Sequence, residues 1–305
     1  MKKIQILAGA LVLAVLACAG CGKKVPSDPA TLNDTGLVSS STQELIYKNS
    51  SYTLRFNHND AGEWQWKDDT TIPLNQSKVQ ELLDQVSALN VLVPLENPGD
   101  ITTYDLDAPD RTLEVKDADG SGISLQIGSA AEGGGHYMCR DGDTTKIYVV
   151  PDALVQMMDR NIYELVQIPA VPVLAAEQIT AIEAQGGGAS VTVSRGDDGR
   201  WLREGTDVSG QLEGLVSLLG QGLTLESCVD YNPSSGALPI CGLTDPTVTA
   251  TVHYTAANGS AGSFTVKVGL SYEGGYFAMY NEVPAIFKVS AATAQLLTGL
   301  LSLAA

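Results

Sequence analysis

One stretch of this chain occurs twice, and that duplication constrains the fold more than any other feature. Tyr104-Asp105-Leu106-Asp107-Ala108-Pro109 runs into the alternating segment Thr112 to Lys116, a turn at Asp119-Gly120, and Ile123 to Gly128. Downstream, Cys241-Gly242-Leu243-Thr244-Asp245-Pro246 runs into Thr249 to His253, a turn at Asn258-Gly259, and Phe264 to Gly269. Each copy reads as a loop ending in proline, then a β-hairpin closed by a polar-Gly turn. Pro109 and Pro246 stand 137 residues apart, and the same offset pairs Gly62-Glu63-Trp64 with Gly199-Arg200-Trp201. With small register shifts, Gly134-Gly135-His136-Tyr137 matches Gly274-Gly275-Tyr276-Phe277, and Ile147 to Val150 matches Ile286 to Val289. So many matches in one order predict two tandem copies of one unit.

Each copy alternates apolar and polar residues in short strands and carries two helical stretches. Val79, Leu82, Val86 and Leu89 fall on one helical face behind Asn75 and Ser77 as candidate caps, and Leu212, Val216, Leu219 and Leu223 repeat that face. Pro151 opens a second helix through Met158, and Ala291 to Leu303 closes the chain as its counterpart. The expected class is α+β: two tandem homologous lobes, each a mainly antiparallel sheet with about two helices packed on one face. The expected divisions are residues 1–20 as a signal, 21–42 as a flexible polar tether, 43–168 as the first lobe and 169–305 as the second.

The N-terminus predicts export. Met1-Lys2-Lys3 precedes an apolar run, Ile4 to Ala17, too short to span a bilayer comfortably. Cys18-Ala19-Gly20-Cys21 follows and resembles the lipobox of bacterial lipoproteins, in which the cysteine takes a diacylglycerol and becomes the first residue. The resemblance places the lipid on Cys21, with Cys18 as the alternative because it stands where leucine is usual. It implies attachment to the cell membrane on its extracytoplasmic face through palmitate-type chains. Gly22 to Thr42, rich in Ser, Thr, Pro and Asp, then gives a tether with a reach of roughly 25 Å. The formal charge of −17 argues against nucleic acid, whose phosphates call for basic patches.

Reactive constellations are sparse. Cys228 and Cys241 map by the 137-residue offset onto Val91 and Tyr104, which bracket the same loop in the first copy. They are either a disulfide closing that loop or two reduced thiols. Cys139 maps onto Met279 and reads as a buried apolar thiol. His136 and Arg140, with Tyr276 and Tyr280 in the second copy, occupy the opposite strand face and form the candidate binding face. The three histidines lack metal-ligand spacing, and Asp117 to Gly122 opens like a calcium loop but has Gly128 where a bidentate Glu is needed. No metal, cofactor or catalytic residue is expected, and the chain reads as a non-enzyme.

The tryptophan after a hairpin, the leucine-rich helix, the Tyr-Gly-Leu-x-x-Pro signature, the strand ending in Ile-Gly, and the Gly-Tyr and Tyr-Val strands resemble the bacterial lipoproteins grouped as domain of unknown function 4340. Asp105 stands where the signature has glycine and Cys241 where it has tyrosine, each kept in the other copy. A left-handed turn at that position explains why glycine, or tolerably aspartate, is found there. The resemblance spans the chain after the tether. It implies an accessory or binding component beside the extracytoplasmic parts of ABC-type transport systems of the gliding-motility kind, with a permease or other envelope protein as partner. A free ligand- or polysaccharide-binding lipoprotein is the alternative, and an envelope hydrolase a third reading.

Overall fold

The computed structural model describes residues 29–31, 41–87, 90–92 and 95–304; the signal segment, Cys18, Cys21, most of the tether and Leu89 lie outside them. The chain order begins β1 (Pro29–Thr31), β2 (Thr42–Lys48), β3 (Thr53–His58), β4 (Trp64–Trp66), α1 (Gln76–Ser87), β5 (Asn90–Leu92) and β6 (Leu95–Glu96). It continues with β7 (Arg111–Asp117), β8 (Gly122–Ala130), β9 (His136–Arg140), β10 (Asp143–Val150) and α2 (Asp152–Met158). After a linker come β11 (Ile179–Gly186), β12 (Ala189–Arg195), β13 (Trp201–Arg203), β14 (Thr206–Asp207), α3 (Ser209–Gln221), β15 (Ser227–Tyr231) and α4 (Ala237–Ile240). The chain ends with β16 (Val248–Thr255), β17 (Ala261–Tyr272), β18 (Gly275–Tyr280), β19 (Ala285–Ser290) and α5 (Ala291–Gly299).

The protein is mostly antiparallel sheet with a few helices. One sheet runs β4-β3-β2-β7-β8-β9-β10-β6, the other β14-β13-β12-β11-β16-β17-β18-β19-β15, and β1 pairs separately with β5. Apart from β14, each strand of the second order has a counterpart at the same place in the first. The hairpins follow their sequences: Leu113, Val115, Leu125 and Ile127 point one way into the core, while Thr112, Glu114, Ser124 and Gln126 point the other. Both signature prolines precede strands that lie inside their sheets. Pro109 and Pro246 each sit two residues ahead of the ladder, where no N–H is needed.

Helix α1 buries Val79, Leu82, Leu83 and Val86, and the Asn75 side chain caps it by accepting from the Lys78 N–H at 3.2 Å. The last helix is shorter than its apolar pattern suggests. It is α-helical to Gly299 and tightens to 3₁₀ over Leu300–Ala304, as the first half does over Ile162–Leu165 after α2. One apolar cluster runs from Leu45 and Phe56 through Val166, Val171 and Leu174 to Phe287 and Leu303, so the two sheets share a contiguous core. The linker contributes to it, with the Leu174 N–H donating to the Leu219 carbonyl at 3.0 Å.

The tryptophan strands have matching supports. Gln76 accepts from the Trp64 N–H at 2.8 Å and donates to the Trp64 carbonyl at 2.9 Å, occupying both hydrogen-bonding groups of an edge strand. In the second sheet the Trp201 N–H donates to Ser209 Oγ at 2.9 Å, and the Val208 N–H reaches the Trp201 carbonyl at 2.8 Å. Both tryptophans are buried in the shared core.

Candidate functional site

The signature loops fold onto the outer faces of the sheets, away from the shared core. Leu106, Cys139 and Ile147 form a small cluster there with Tyr104 and Tyr137; Cys241, Leu243 and Ile286 form another with Phe277 and Met279. Asp105 adopts φ 53° and Gly242 φ 67°, so both loops turn through the left-handed region at the same position. The glycines ending the hairpins make room for these loops. A Cβ on Gly128 would run into the Tyr104 carbonyl oxygen, and one on Gly269 into that of Cys241. The Gly-Tyr strand repeats the device, since a Cβ on Gly135 or Gly275 would strike the carbonyl of Val150 or Val289.

Cys228 and Cys241 are free thiols in the structure, the second of the two readings their spacing allowed. Cys228 pairs with Phe287 on β19 and belongs to the shared core, whereas Cys241 packs on Ile286, the preceding residue of the same strand. Successive strand residues face opposite sides, so the sheet itself separates the two sulfurs. The 137-residue offset placed both cysteines at one loop but carried no information about faces. Burial, reinforced by the Asp230 carboxylate, pushes the Cys228 thiol up to about 12 and raises Cys241 as well. Cys139 is fully buried, donates to Gln126 Oε1 at 2.9 Å, and is raised by burial first and by Asp143 second.

The candidate binding face needs correction. Tyr280 is only 6% exposed and lies in the shared core, Tyr276 packs against that core, and their neighbours Ala278 and Met138 are fully buried. His136 Nδ1 lies 3.2 Å from the Gly128 carbonyl and its Nε2 3.6 Å from Asp152; Arg140 pairs with the adjacent Asp141. These four residues line the inward side, and the outward side is the one the signature loops cover. Both sides of β18 are apolar, so alternation alone could not say which was inner.

Sequence reasoning missed the cleft of about 300 Å³ where the first half meets β15, lined by Lys78, Glu81, Arg160, Tyr163, Glu226 and Cys228. Its polar groups are largely engaged. Lys78 Nζ donates to the Glu164 carbonyl at 2.6 Å, Arg160 pairs with Glu81 at 3.1 Å, and Lys288 pairs with Glu226 at 3.5 Å. Tyr163 donates to Asp230 Oδ1 at 2.9 Å, and Asn232 donates to Asp69 and Thr71 across the same junction. Strand β15 was hard to foresee because a bulge between Cys228 and Asp230 breaks its alternation.

Burial, with the hydrogen bond to Asp230 next, pushes the Tyr163 phenol up to about 12 from 10.0. The neutral phenol is therefore favoured by folding. This contribution is whole below pH 10, where the unfolded phenol is also protonated, and is lost as pH rises through 12. Tyr163→Phe should cost about 1 kcal/mol at neutral pH and flatten the fall in stability between pH 10 and 12. Urea unfolding of both proteins at pH 7, 10 and 11 measures this; parallel curves would show that Tyr163 does not couple the halves.

Among the described residues no three His, Cys, Asp or Glu side chains could hold a metal ion, and no helix is long and apolar enough to cross a membrane. A protein-family model, domain of unknown function (DUF4340), matches residues 64–218, half of the chain. The chain belongs to the DUF4340 family. The match opens at the Trp64 strand and closes within α3, taking in the first signature, Tyr104 to Pro109, and stopping short of the second. It is narrower than the resemblance traced through the sequence. No curated protein and no solved structure matches the chain. For this DUF4340 protein the matched segment is chiefly scaffold: an edge tryptophan, a left-handed turn and a leucine anchor.

Proposed function

We propose that this protein is a lipoprotein held through Cys21 on the extracytoplasmic face of the cell membrane, acting there as a non-enzymatic accessory or binding component of an ABC-type transport complex. Cys18-Ala19-Gly20-Cys21 at the end of the apolar run carries the reading. Two acyl chains hold a protein on a bilayer where one does not, and residues 21–42 serve as the tether. The body is read as two tandem copies, residues 43–168 and 169–305, each with helices against one face of its sheet. The parallel strand orders, the paired supports of Trp64 and Trp201, and the outer clusters at both signatures support that reading.

Metabolic labelling with a palmitate analogue, followed by detergent phase partition, tests the anchor. Cys21→Ser should lose the label and move to the aqueous phase, while Cys18→Ser keeps the wild-type behaviour. Retention of label by Cys21→Ser would move the lipid elsewhere or dismiss it. Cross-linking in intact cells should then join the full-length protein to a membrane permease. Glycan binding without any membrane partner would favour a free binding lipoprotein instead.

A further inference from the structure

Strand β1 is a piece of the tether, Pro29–Thr31, laid antiparallel on β5 with Pro29 opposite Leu92, Ala30 opposite Val91 and Thr31 opposite Asn90. Antiparallel partners alternate between pairs that exchange both backbone bonds and pairs that exchange none. Proline has no N–H, so Ala30 and Val91 are the pair that exchanges both. The second half uses the corresponding segment differently. The 137-residue offset sets Ser227 against Asn90 and Val229 against Leu92, so β15 opens where β5 opens. There Ser227 and Cys228 ladder onto Lys288 and Phe287 of β19, at the edge of the large sheet. In the first half β6 takes that edge, at Lys146 and Ile147 of β10, and β5 lies alongside outside the sheet. Among the described residues the ladder to β1 is the one β5 makes. The halves thus differ where the tether meets the body.

We propose that Pro29–Thr31 is a releasable strap that gives the tether two lengths. Docked on β5, it holds the body close to the anchor; released by an outward pull, it lets the body move away. A polar segment of this composition reaches roughly 15 Å over residues 21–29 and roughly 25 Å over residues 21–42. A pull from Cys21 passes through β1 before it reaches β2, so the Ala30 and Val91 bonds take the load first. Strand β2 cannot yield in their place, because it sits between β3 and β7 with Leu45 and Tyr47 fully buried. An isolated two-stranded pair is marginal on its own, and its loss leaves both large sheets intact. The inference rests on the lipoprotein reading for its purpose, but docking and release belong to the chain whether or not it is acylated.

Single-molecule pulling tests the strap, with one DNA handle at residue 21 in place of the lipid and the other at the C-terminus. The handle replaces the anchor, so failure of acylation leaves this test intact. The wild-type chain should show a short extension step before either sheet unfolds. Ala30→Pro removes the N–H that β5 accepts from, and should abolish the step and speed amide exchange at Val91 roughly tenfold, with thermal unfolding unchanged. Thr31→Cys with Asn90→Cys should form a disulfide within one chain; the oxidised form should lose the step and the reduced form regain it. A wild-type trace without the step, a step that survives oxidation, or unchanged Val91 exchange in Ala30→Pro would overturn the proposal. A disulfide joining two chains would overturn it in favour of strand exchange between copies.

Discussion

Phe287→Ala should lower the unfolding free energy by about 3–5 kcal/mol. Phe287 is fully buried in β19, opposite Ala278 on one neighbour and Cys228 on the other. Those partners are small, so they cannot swing into the volume the ring vacates. The loss combines the ring's transfer free energy with the cost of an unfilled cavity. Position makes the site decisive, because Phe287 belongs to the cluster that runs through the linker into the first sheet. Denaturant unfolding followed by tryptophan fluorescence reports the change, since Trp64 and Trp201 lie in that cluster. A loss under about 1 kcal/mol would mean that the core near β19 collapses freely and that the two sheets do not share it as described.

Gly269→Ala should cost about 3 kcal/mol, and Gly128→Ala a similar amount. The reason is contact, not conformation, since neither glycine is among the positive-φ residues. A Cβ on Gly269 would meet the Cys241 carbonyl oxygen, with the Cys241 carbon and a Leu243 methyl each 3.2 Å away. That carbonyl also holds the Leu270 N–H, so the loop cannot retreat without losing a hydrogen bond and loosening Leu243, which is 4% exposed. Gly299→Ala is the control: a Cβ there meets nothing within 4 Å, and the position is helical. It should be neutral or stabilising by up to about 1 kcal/mol. If Gly269→Ala and Gly299→Ala melt alike, close approach is not what the hairpin-ending glycines provide.

Several features were legible because local chemistry forces them. Pro109 and Pro246 end loops, Asp119-Gly120 and Asn258-Gly259 turn hairpins, and Asp105 and Gly242 take the left-handed turn. Each depends on sterics within a few residues. The helix faces of Val79, Leu82 and Val86, and of Leu212 and Leu219, follow from apolar spacing in the same way.

Other features had no local signal. Strand β18 is apolar on both sides, so period-two alternation could not tell that Tyr280 turns inward and Phe277 meets the signature loop. The two cysteines lie near one another in register but on opposite sides of the sheet, which their spacing did not show. The cleft at β15 joins residues far apart in the chain, such as Tyr163 and Asp230.

The sequence by itself determined where this chain turns and where it alternates, because those depend on backbone sterics and the side-chain period. Only the tertiary structure decided which side of each sheet is interior, which thiols stay apart, and that Ile240 and Leu270 stand in solvent. Those outcomes depend on what packs against a face, and for an antiparallel sheet covered on both sides that partner comes from distant parts of the chain.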